Sequence, residues 1–427
     1  HRDLHSFPTR RSSDLDLKMD YDSLTADAKL KGMKTGILSS VSLDHATPAV
    51  FYAHQNSRKQ YYDISMDLAK SDTDFLGGGG LLGDSRRGKK PSPLDIAAQS
   101  GYFVCADKPA FDRLLNAPQP LKERGKLLLI NPVLDSEQAF EYEIDVRRTL
   151  APERARNHIS LSSFTRMAID ALDSPNGFFI MVEGGRIDWA NHINDAAASI
   201  YETIEFDSAV AAAVEYYRTK PNETLIIVTA DHETGGLTLT PSGTLENSTI
   251  ALLDKQQGSR QAIQSRWRVK RSAEPAPAIS DALQFAYDCF GLWTGETSPE
   301  NAETALALRA EEAALLTLAL EIETGAAPYD DDTRRRFASR LSYGANASNI
   351  ELFIPLCGQI LDSRAGVHWS SNDHTAADVP VYAIGAGASR FSGRYDNTQI
   401  AWRIRTLLDI PATTEPAQTA EPAAATD

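Results

Sequence analysis

Short apolar runs alternate with amphipathic segments along most of this chain. Runs of this length predict buried strands, whereas the segments between them carry helical periodicity. The predicted strands cover residues 35–38, 96–104, 126–130, 178–182, 225–230 and 379–384, and the clearest helices cover 23–31, 193–220 and 398–408. Repeated strand–helix alternation predicts an α/β fold with a mostly parallel sheet and helices on both faces.

Polar residues follow the apolar run 178–182 at once. Glu183 ends the run, and Asp188 and His192 come five and nine residues later. A carboxylate at the carboxyl end of a buried strand lies where open α/β sheets bind their ligands. Asp188 and His192 are four residues apart, so one helical turn would put both on the same face, where a carboxylate and an imidazole could bind a divalent transition metal. The alternative is that Asp188 caps a helix and His192 is a surface residue.

Two further segments repeat this arrangement. Asp231 and His232 follow the run 225–230, and His374 precedes the run 379–384. Gly235 and Gly236 indicate that the chain leaves the strand direction soon after His232. Three separate segments that bring carboxylate and imidazole groups to the ends of apolar runs predict one site for several metal ions.

Composition excludes several classes of function. The chain has 427 residues, 42% hydrophobic and 24% charged, with a formal net charge of -15. It has no basic stripe of the kind that binds nucleic acid, and no apolar run near the ~20 residues of a membrane span. Its three cysteines lie far apart without a C-x-x-C pair, so we expect no thiolate metal site.

Changes in composition predict the domain organisation. Residues 1–15 read as an adapter or cloning scar without folded structure, and 411–427 as a disordered tail. Residues 16–240 and 365–410 are predicted to form the α/β core, and 241–364 a largely helical insertion. The four glycines at 77–80 are flexible by composition, but they form no phosphate loop because no G-K-[ST] follows them.

Three strings of residues resemble the alkaline phosphatases: SLDHATPAVFYAH at 42–54, VEGGRIDWANH at 182–192 and VTADHETGG at 228–236. Their order is also that of the family. The resemblance implies a three-layer α/β/α sandwich around a large, mostly parallel sheet, with a site for two zinc ions and one magnesium ion. It implies hydrolysis of small phosphate monoesters by a periplasmic or secreted enzyme. Family members are often dimers, so a homodimer is one alternative for the assembly.

The resemblance also implies a role for individual residues. Arg58 stands where the family has the arginine that holds phosphate oxygens at two points. His45 and Trp189 stand near the magnesium side, at positions where some members carry other residues. The implied metal ligands are Asp188, His192 and His374 for the first zinc, Asp231 and His232 for the second zinc, and Glu183 and Thr47 for magnesium.

Simpler interpretations remain open for some of these residues. Thr47 precedes Pro48 and could be the N-cap of a helix that runs to Arg58, in which case Arg58 would be a helix-surface residue. The histidines at 54, 158 and 368 match no motif, and we expect them to be structural.

The resemblance fails at the start of the chain. The family uses a serine nucleophile and an early aspartate that bridges the second zinc and the magnesium, and neither has a counterpart here. Asp22-Ser23 is the nearest pair, but Ser23 is better explained as a helix cap. We therefore expect an N-terminally truncated member with impaired turnover. The strand that carries the early aspartate would also be absent from the sheet, which should lower stability.

Three hypotheses about function follow. The first is hydrolysis of phosphate monoesters, which the strings DHETGG and HTAADVP favour. The second keeps the metal cage but acts on another ester, as a phosphodiesterase, sulfatase or phosphomutase would. The third is a metal-binding protein without catalysis.

Overall fold

The computed structural model describes residues 23–116, 120–239, 249–295, 304–326 and 351–410. The predictions of a scar at 1–15 and a tail at 411–427 lie outside these residues. No helix in the described part of the chain is long and apolar enough to cross a membrane.

The strands form one central sheet and three small pairs. The central sheet is parallel throughout, with the strand order β3–β4–β2–β1–β5. The pairs β6–β11, β7–β10 and β8–β9 are antiparallel. The strands are β1 (Lys34–Ser39), β2 (Phe75–Gly78), β3 (Tyr102–Cys105), β4 (Lys126–Ile130), β5 (Phe178–Glu183), β6 (Leu225–Val228), β7 (Glu233–Thr234), β8 (Thr238–Leu239), β9 (Val367–His368), β10 (His374–Thr375) and β11 (Tyr382–Gly385).

Helices fill most of the segments between these strands. They are α1 (Leu24–Leu30), α2 (Ala46–Ala49), α3 (Tyr61–Lys70), α4 (Leu82–Ser85), α5 (Pro93–Gln99), α6 (Lys108–Leu115), α7 (Glu143–Arg148), α8 (Pro152–Asn157), α9 (Leu161–Leu172), α10 (Gly185–His192), α11 (Ala196–Thr219), α12 (Arg260–Ala273), α13 (Ile279–Phe290), α14 (Ala310–Thr324), α15 (Phe353–Arg364) and α16 (Thr398–Leu407). Short 3₁₀ helices cover Leu121–Glu123, Ile250–Lys255, Thr304–Leu306 and Ala388–Phe391. Ser23 caps α1, since its side chain accepts the N–H of Ala26, as the sequence predicts.

The central sheet separates two apolar layers. Side chains of a strand point alternately to opposite faces, so neighbouring residues of β1 enter different layers. Leu38 packs in a cluster with Phe164 of α9, whereas Ile37 packs in another with Leu24 of α1 and Leu68 of α3. This arrangement confirms the predicted α/β/α sandwich.

A second group of helices, α12 to α15, packs around Trp267 in an apolar cluster that also includes Ala190 of α10 and Ala196 of α11. The Trp267 indole stacks on Phe353 with ring centroids 4.9 Å apart, and its N–H donates to Glu323 over 2.8 Å. The described parts of 241–364 are thus mainly helical, while the domain boundaries themselves stay a prediction.

Three local predictions are wrong. The glycines at 77–80 are not a flexible run, because the first two lie in the buried strand β2. The segment 96–104 is a helix followed by a strand, since α5 extends to Gln99 and Gly101, with φ +92, turns the chain into β3.

The third error concerns the helix predicted from Thr47 to Arg58. It is only one turn long, from Ala46 to Ala49, because the chain turns to bury Phe51 against Phe179. Thr47 lies inside this turn, whose N-cap is His45, and is therefore not its cap. Arg58 follows in a turn and not on a helix surface.

Candidate metal centre

The first candidate metal-binding segment begins where β5 ends. α10 starts at Gly185 and carries Asp188 and His192 on one face, with His192 Nε2 3.4 Å from Asp188 Oδ1. His192 Nδ1 lies 2.6 Å from the carbonyl oxygen of Asn372. A carbonyl oxygen only accepts, so Nδ1 carries the ring proton and Nε2 presents a lone pair on the side of Asp188.

The second segment follows β6 and is joined to the third by backbone pairing. β7 and β10 are antiparallel neighbours, with Thr234 opposite His374. Gly235 makes this approach possible, because its φ is +90 and a Cβ there would lie 2.6 Å from the ring of Trp369. Its N–H donates to the carbonyl oxygen of Asp373 over 3.0 Å. The double glycine thus holds the third segment against the second.

Asp188, His232 and His374 form the centre of the site, with one ligand atom from each within 4.8 Å of the others. Thr234 donates to Asp188 Oδ1 over 2.7 Å and lies 3.1 Å from His232 Nδ1. Since the hydroxyl proton is given to Asp188, the Thr234 oxygen accepts from His232 Nδ1–H. His232 Nε2 then carries the lone pair and lies 3.2 Å from Asp231 Oδ2.

Burial and a neighbouring imidazole favour the neutral form of His374. The rings of His232 and His374 stack with centroids 3.5 Å apart. Desolvation, followed by the neighbouring His232, lowers the pKa of His374, while the Asp188 carboxylate opposes that shift. A neutral imidazole is the form that binds metal.

Glu183 lies beside this centre, at the end of β5. It accepts a hydrogen bond of 2.5 Å from Ser39, its partner in the β1–β5 register, and another from Thr47. Desolvation raises its pKa to about 7; these hydrogen bonds lower it, and the charges of Asp231 and Asp188 raise it. A bound cation would favour the carboxylate form.

Arg58, His45 and Trp189 form a continuous group of contacts in the wall of the same cavity. Arg58 Nη2 lies 3.1 Å from His45 Nε2, and the His45 ring meets Trp189 edge-on with centroids 5.8 Å apart. The guanidinium of Arg186 lies over Trp189, 4.8 Å from the ring. Arg186 therefore fixes the indole that in turn contacts His45.

All ten residues named from the sequence line one cavity of about 1380 Å³. The histidines at 54, 158 and 368 do not line it. The sequence analysis missed Ser39 and Thr234, which orient Glu183 and Asp188. Each stands in or beside a strand end that carries a candidate ligand, and that position is the signal that could have found them.

Comparison with known proteins identifies the family. The alkaline phosphatase family model matches residues 13–75 and 138–410, well over half of the chain. The chain belongs to the alkaline phosphatase family. It is 29% identical over 386 residues to alkaline phosphatase 4 of Bacillus subtilis (strain 168), covering 89% of this chain and 68% of that protein. It is 29% identical over 267 residues to alkaline phosphatase of Escherichia coli (strain K12), covering 55% and 56%.

Superposition on solved structures also finds alkaline phosphatases. The cold-active alkaline phosphatase of the psychrophile Shewanella sp. superimposes with a TM-score of 0.66 at 27% identity, covering 92% of this chain and 79% of that one. A variant of the TAB5 alkaline phosphatase with bound Mg has a TM-score of 0.54 at 24% identity, covering 93% and 78%. By family the chain is a phosphoric monoester hydrolase with a candidate metal site.

Proposed function

We propose that this site hydrolyses phosphate monoesters with two zinc ions and one magnesium ion. The observation that carries the proposal is the convergence of Asp188, His232 and His374 within 4.8 Å of one another, although each comes from a different segment. Carboxylate and imidazole are the donors that zinc prefers. Bound zinc would stabilise the attacking and leaving oxygens of an in-line displacement at phosphorus.

In this proposal, the chain's own residues hold the metal ions and orient the phosphate. Asp188, His192 and His374 hold the first zinc, and Asp231 and His232 hold the second. Thr234 supports both sets through its hydrogen bonds to Asp188 and His232. Arg58 holds two phosphate oxygens, because its guanidinium faces the cavity and keeps a fixed fork geometry.

Magnesium is assigned to the oxygen donors of Glu183 and Thr47. Both are hard ligands, and the hydrogen bond between them holds them at one place. His45 and Trp189 lie on this side of the site and tune which ion is accepted. The TAB5 variant holds Mg; we infer by analogy that this chain binds the same ion.

The chain as given is proposed to turn over slowly. The only serine among the described residues that line the cavity is Ser174, which precedes β5 and so lies at the strand end away from the metal centre. No serine hydroxyl of the described cavity therefore stands beside Asp188 or His232 to attack phosphorus.

Zinc analysis and turnover of p-nitrophenyl phosphate together test the proposal. With zinc and magnesium supplied at alkaline pH, we expect zinc to be retained and turnover to stay low. His374→Ala should weaken zinc affinity by about tenfold or more, whereas His368→Ala, in an exposed position outside the cavity, should not. Failure to retain zinc would contradict the assignment of the metal site. Rapid turnover would contradict only the proposal that turnover is slow.

Phosphate binding tests the role of Arg58. In the zinc-loaded protein, Arg58→Lys keeps the positive charge but loses the guanidinium that donates two parallel hydrogen bonds. Affinity for inorganic phosphate should therefore fall by about tenfold. Arg394→Lys, at an exposed arginine, is the matched control. Equal affinities in titration calorimetry would show that Arg58 does not hold phosphate.

The alternatives predict different results. A metal-binding protein without catalysis would bind zinc but no phosphate. A sulfatase or phosphodiesterase would prefer those esters over p-nitrophenyl phosphate. By resemblance we also propose a periplasmic or secreted location and small phosphate monoesters as substrates, with a homodimer as the assembly to be tested by sedimentation.

A further inference from the structure

Helix α12 begins with an arginine that takes part in a buried polar contact. Arg260 Nη2 lies 2.7 Å from Asp362 of α15, and Asp362 accepts a hydrogen bond of 2.8 Å from the indole N–H of Trp369. Asp362 is 1% exposed. Gly358 of α15 leaves room for the guanidinium, because a Cβ there would lie 2.2 Å from Arg260 Nε. The two helices thus hold the Asp362 carboxylate in place, and Asp362 holds the indole; we call these three side chains the Trp369 unit.

The same helix ends in a matching group, which we call the Trp267 unit. Arg271 Nη1 lies 2.6 Å from Glu323 of α14, and Glu323 accepts a hydrogen bond of 2.8 Å from the indole N–H of Trp267. The Trp267 ring stacks on Phe353 inside the helical cluster. Both units therefore join an arginine of α12, a buried carboxylate and an indole, at nearly the same distances.

The two units differ in what their indoles contact. The ring of Trp369 lies against Gly235, where a Cβ would be 2.6 Å from it. The N–H groups of Ser370 and Ser371 each donate to the carbonyl oxygen of Gly235 over 3.1 Å, and the N–H of Gly235 donates to the carbonyl oxygen of Asp373 over 3.0 Å. Residues 369–373, which we call the Trp369 loop, are therefore clamped onto the segment that follows β6.

The Trp369 loop also holds two candidate zinc ligands. The carbonyl oxygen of Asn372 accepts from His192 Nδ1 over 2.6 Å, and the Asn372 side chain donates to the carbonyl oxygen of His192 over 3.1 Å. His374 follows the loop directly and lies opposite Thr234 in the pair β7–β10. A displaced loop would therefore turn the His192 ring and move His374. Such contacts behind the ligands orient them and set metal affinity.

The ion pair of the Trp369 unit is a poor source of stability. The cost of desolvating two buried charges offsets most of the attraction between Arg260 and Asp362. What the pair provides is an acceptor of fixed position for the indole N–H. In the Trp369 unit, the contacts of that indole lead on to His192 and His374.

We propose that Asp362 and Trp369 are positioning residues of the metal centre. Asp362, held by Arg260, fixes the indole of Trp369, and the indole fixes the loop that orients His192 and His374. This role rests on the proposed zinc site and extends the support of that site to helices α12 and α15.

Trp369→Phe and Trp267→Phe form a matched pair of variants. Each removes one indole N–H and leaves a phenyl ring, while the carboxylate keeps its arginine. We expect Trp369→Phe to weaken zinc affinity by about tenfold and Trp267→Phe to leave it within about twofold. Competition with a zinc-binding dye measures both affinities, and urea unfolding of the zinc-free proteins shows that each variant folds.

Two other outcomes have separate meanings. Equal zinc affinities of the two variants would overturn the positioning role, because a general loss of stability would then explain any change. Failure of the original protein to retain zinc would contradict the proposed metal site itself, and the positioning role with it.

Cobalt in place of zinc gives a measurement of geometry. The visible spectrum of bound Co²⁺ depends on the arrangement of its ligands. We expect Trp369→Phe to change this spectrum and Trp267→Phe to reproduce that of the original protein. Identical spectra for all three proteins would show that Trp369 does not position the ligands.

A double variant tests whether Asp362 acts through Trp369. Asp362→Asn keeps the shape of the side chain but removes its charge, so it should weaken zinc affinity by about threefold or more. In the Trp369→Phe protein the same substitution should have no further effect, since the contact through which it acts is already absent. Effects that multiply would show that Asp362 influences the metal by another route.

Amide exchange adds a test that needs no variant. If the Trp369 unit favours zinc binding, zinc must favour the Trp369 unit by the same factor. Zinc should therefore slow exchange at residues 360–364 of α15, around Asp362, and not at residues 320–324 of α14, around Glu323. Equal changes at the two helix ends would overturn the proposal.

Discussion

The strands β1 to β4 and the strands β5 and β6 differ in how far they bury similar side chains. In the part formed by β1 to β4, Ile37, Leu76 and Leu128 are 0% exposed. In β5 and β6 every residue is half-buried, although the runs Phe178–Val182 and Leu225–Val228 are at least as apolar. β1, β2 and β4, which carry these three residues, each pair with a strand on both edges. Among the described residues, β5 and β6 each pair on one edge only, and both line the wide cleft of the candidate metal centre.

This contrast shows that an apolar run specifies a strand but not its burial. Burial depends on which other segments reach the two edges and two faces of that strand. The cleft side is also the side that carries the metal centre. The fold therefore combines a closed half, the strands β1 to β4, with an open half, the strands β5 and β6, at which the candidate site is built.

The largest effect is expected from Gly78→Ala in the closed half. Gly78 has φ +130, and a Cβ there would lie 2.0 Å from the carbonyl oxygen of Ser39 in the neighbouring strand. Because backbone cannot move aside cheaply, we expect a loss of about 4 kcal/mol or no folding at all. Gly88→Ala, with φ +62 and open space around it, should cost only about 1 kcal/mol. Urea unfolding measures both; similar losses would show that the close approach of β1 and β2 is not rigid.

A pair of isoleucine substitutions compares the two halves directly. Ile37→Ala removes a fully buried side chain and should destabilise by about 3 kcal/mol, through lost burial and the cavity left behind. Ile227→Ala removes a half-buried side chain beside the cleft and should cost about 1 kcal/mol or less. The measurement is the urea midpoint at constant m-value. Equal costs would mean that the cleft is closed in solution.

The pH dependence of stability should reveal a buried carboxyl on α11. Desolvation raises the pKa of Glu202 to about 8; the N–H of Glu143 and the charge of Arg186 lower it, and the charges of Glu143 and Glu205 raise it. The folded protein thus holds this proton above pH 4.5, where the unfolded chain releases it, so stability falls as pH rises from about 4.5 to 8.

Glu202→Gln removes this dependence. Relative to the original protein, the variant should gain about 1–3 kcal/mol between pH 5 and pH 8 in urea unfolding. Glu215→Gln, at an exposed position of the same helix, is the matched control and should show no such gain. A gain that is independent of pH would indicate a packing effect.

The smallest effect is expected at His158, near the closed half. Its pH dependence is opposite to that of Glu202. Burial lowers the pKa of His158 to about 4, and its ring packs edge-on against Phe140. The unfolded chain takes up the proton near pH 6.5 and the folded protein only near 4, so stability falls as pH decreases through this range. His158→Gln should reduce this loss of stability between pH 7 and pH 5 by about 1–2 kcal/mol, as measured by thermal unfolding. An unchanged loss would contradict the low pKa of His158.

The convergence of the candidate ligands on one cavity was predictable, because most of these residues follow strand ends. Asp188 and His192 were identified from their spacing of four residues, which suits one face of a helix. Asp231 and His232 were identified from the apolar run that precedes them. Arg58 and Thr47 were named by resemblance, but the helix assumed between them is absent after Ala49. Local propensity favoured that helix, and the burial of Phe51 against the sheet ended it.

The order of apolar runs and the residues at their ends were determined by the sequence alone, because strand pattern and ligand type are local properties. The close packing of Gly78 against Ser39 and the hydrogen bond between Ser39 and Glu183 across β1 and β5 were decided only by the tertiary structure. Both depend on which distant strands become neighbours, and a parallel sheet leaves that choice to crossover helices and not to local residues.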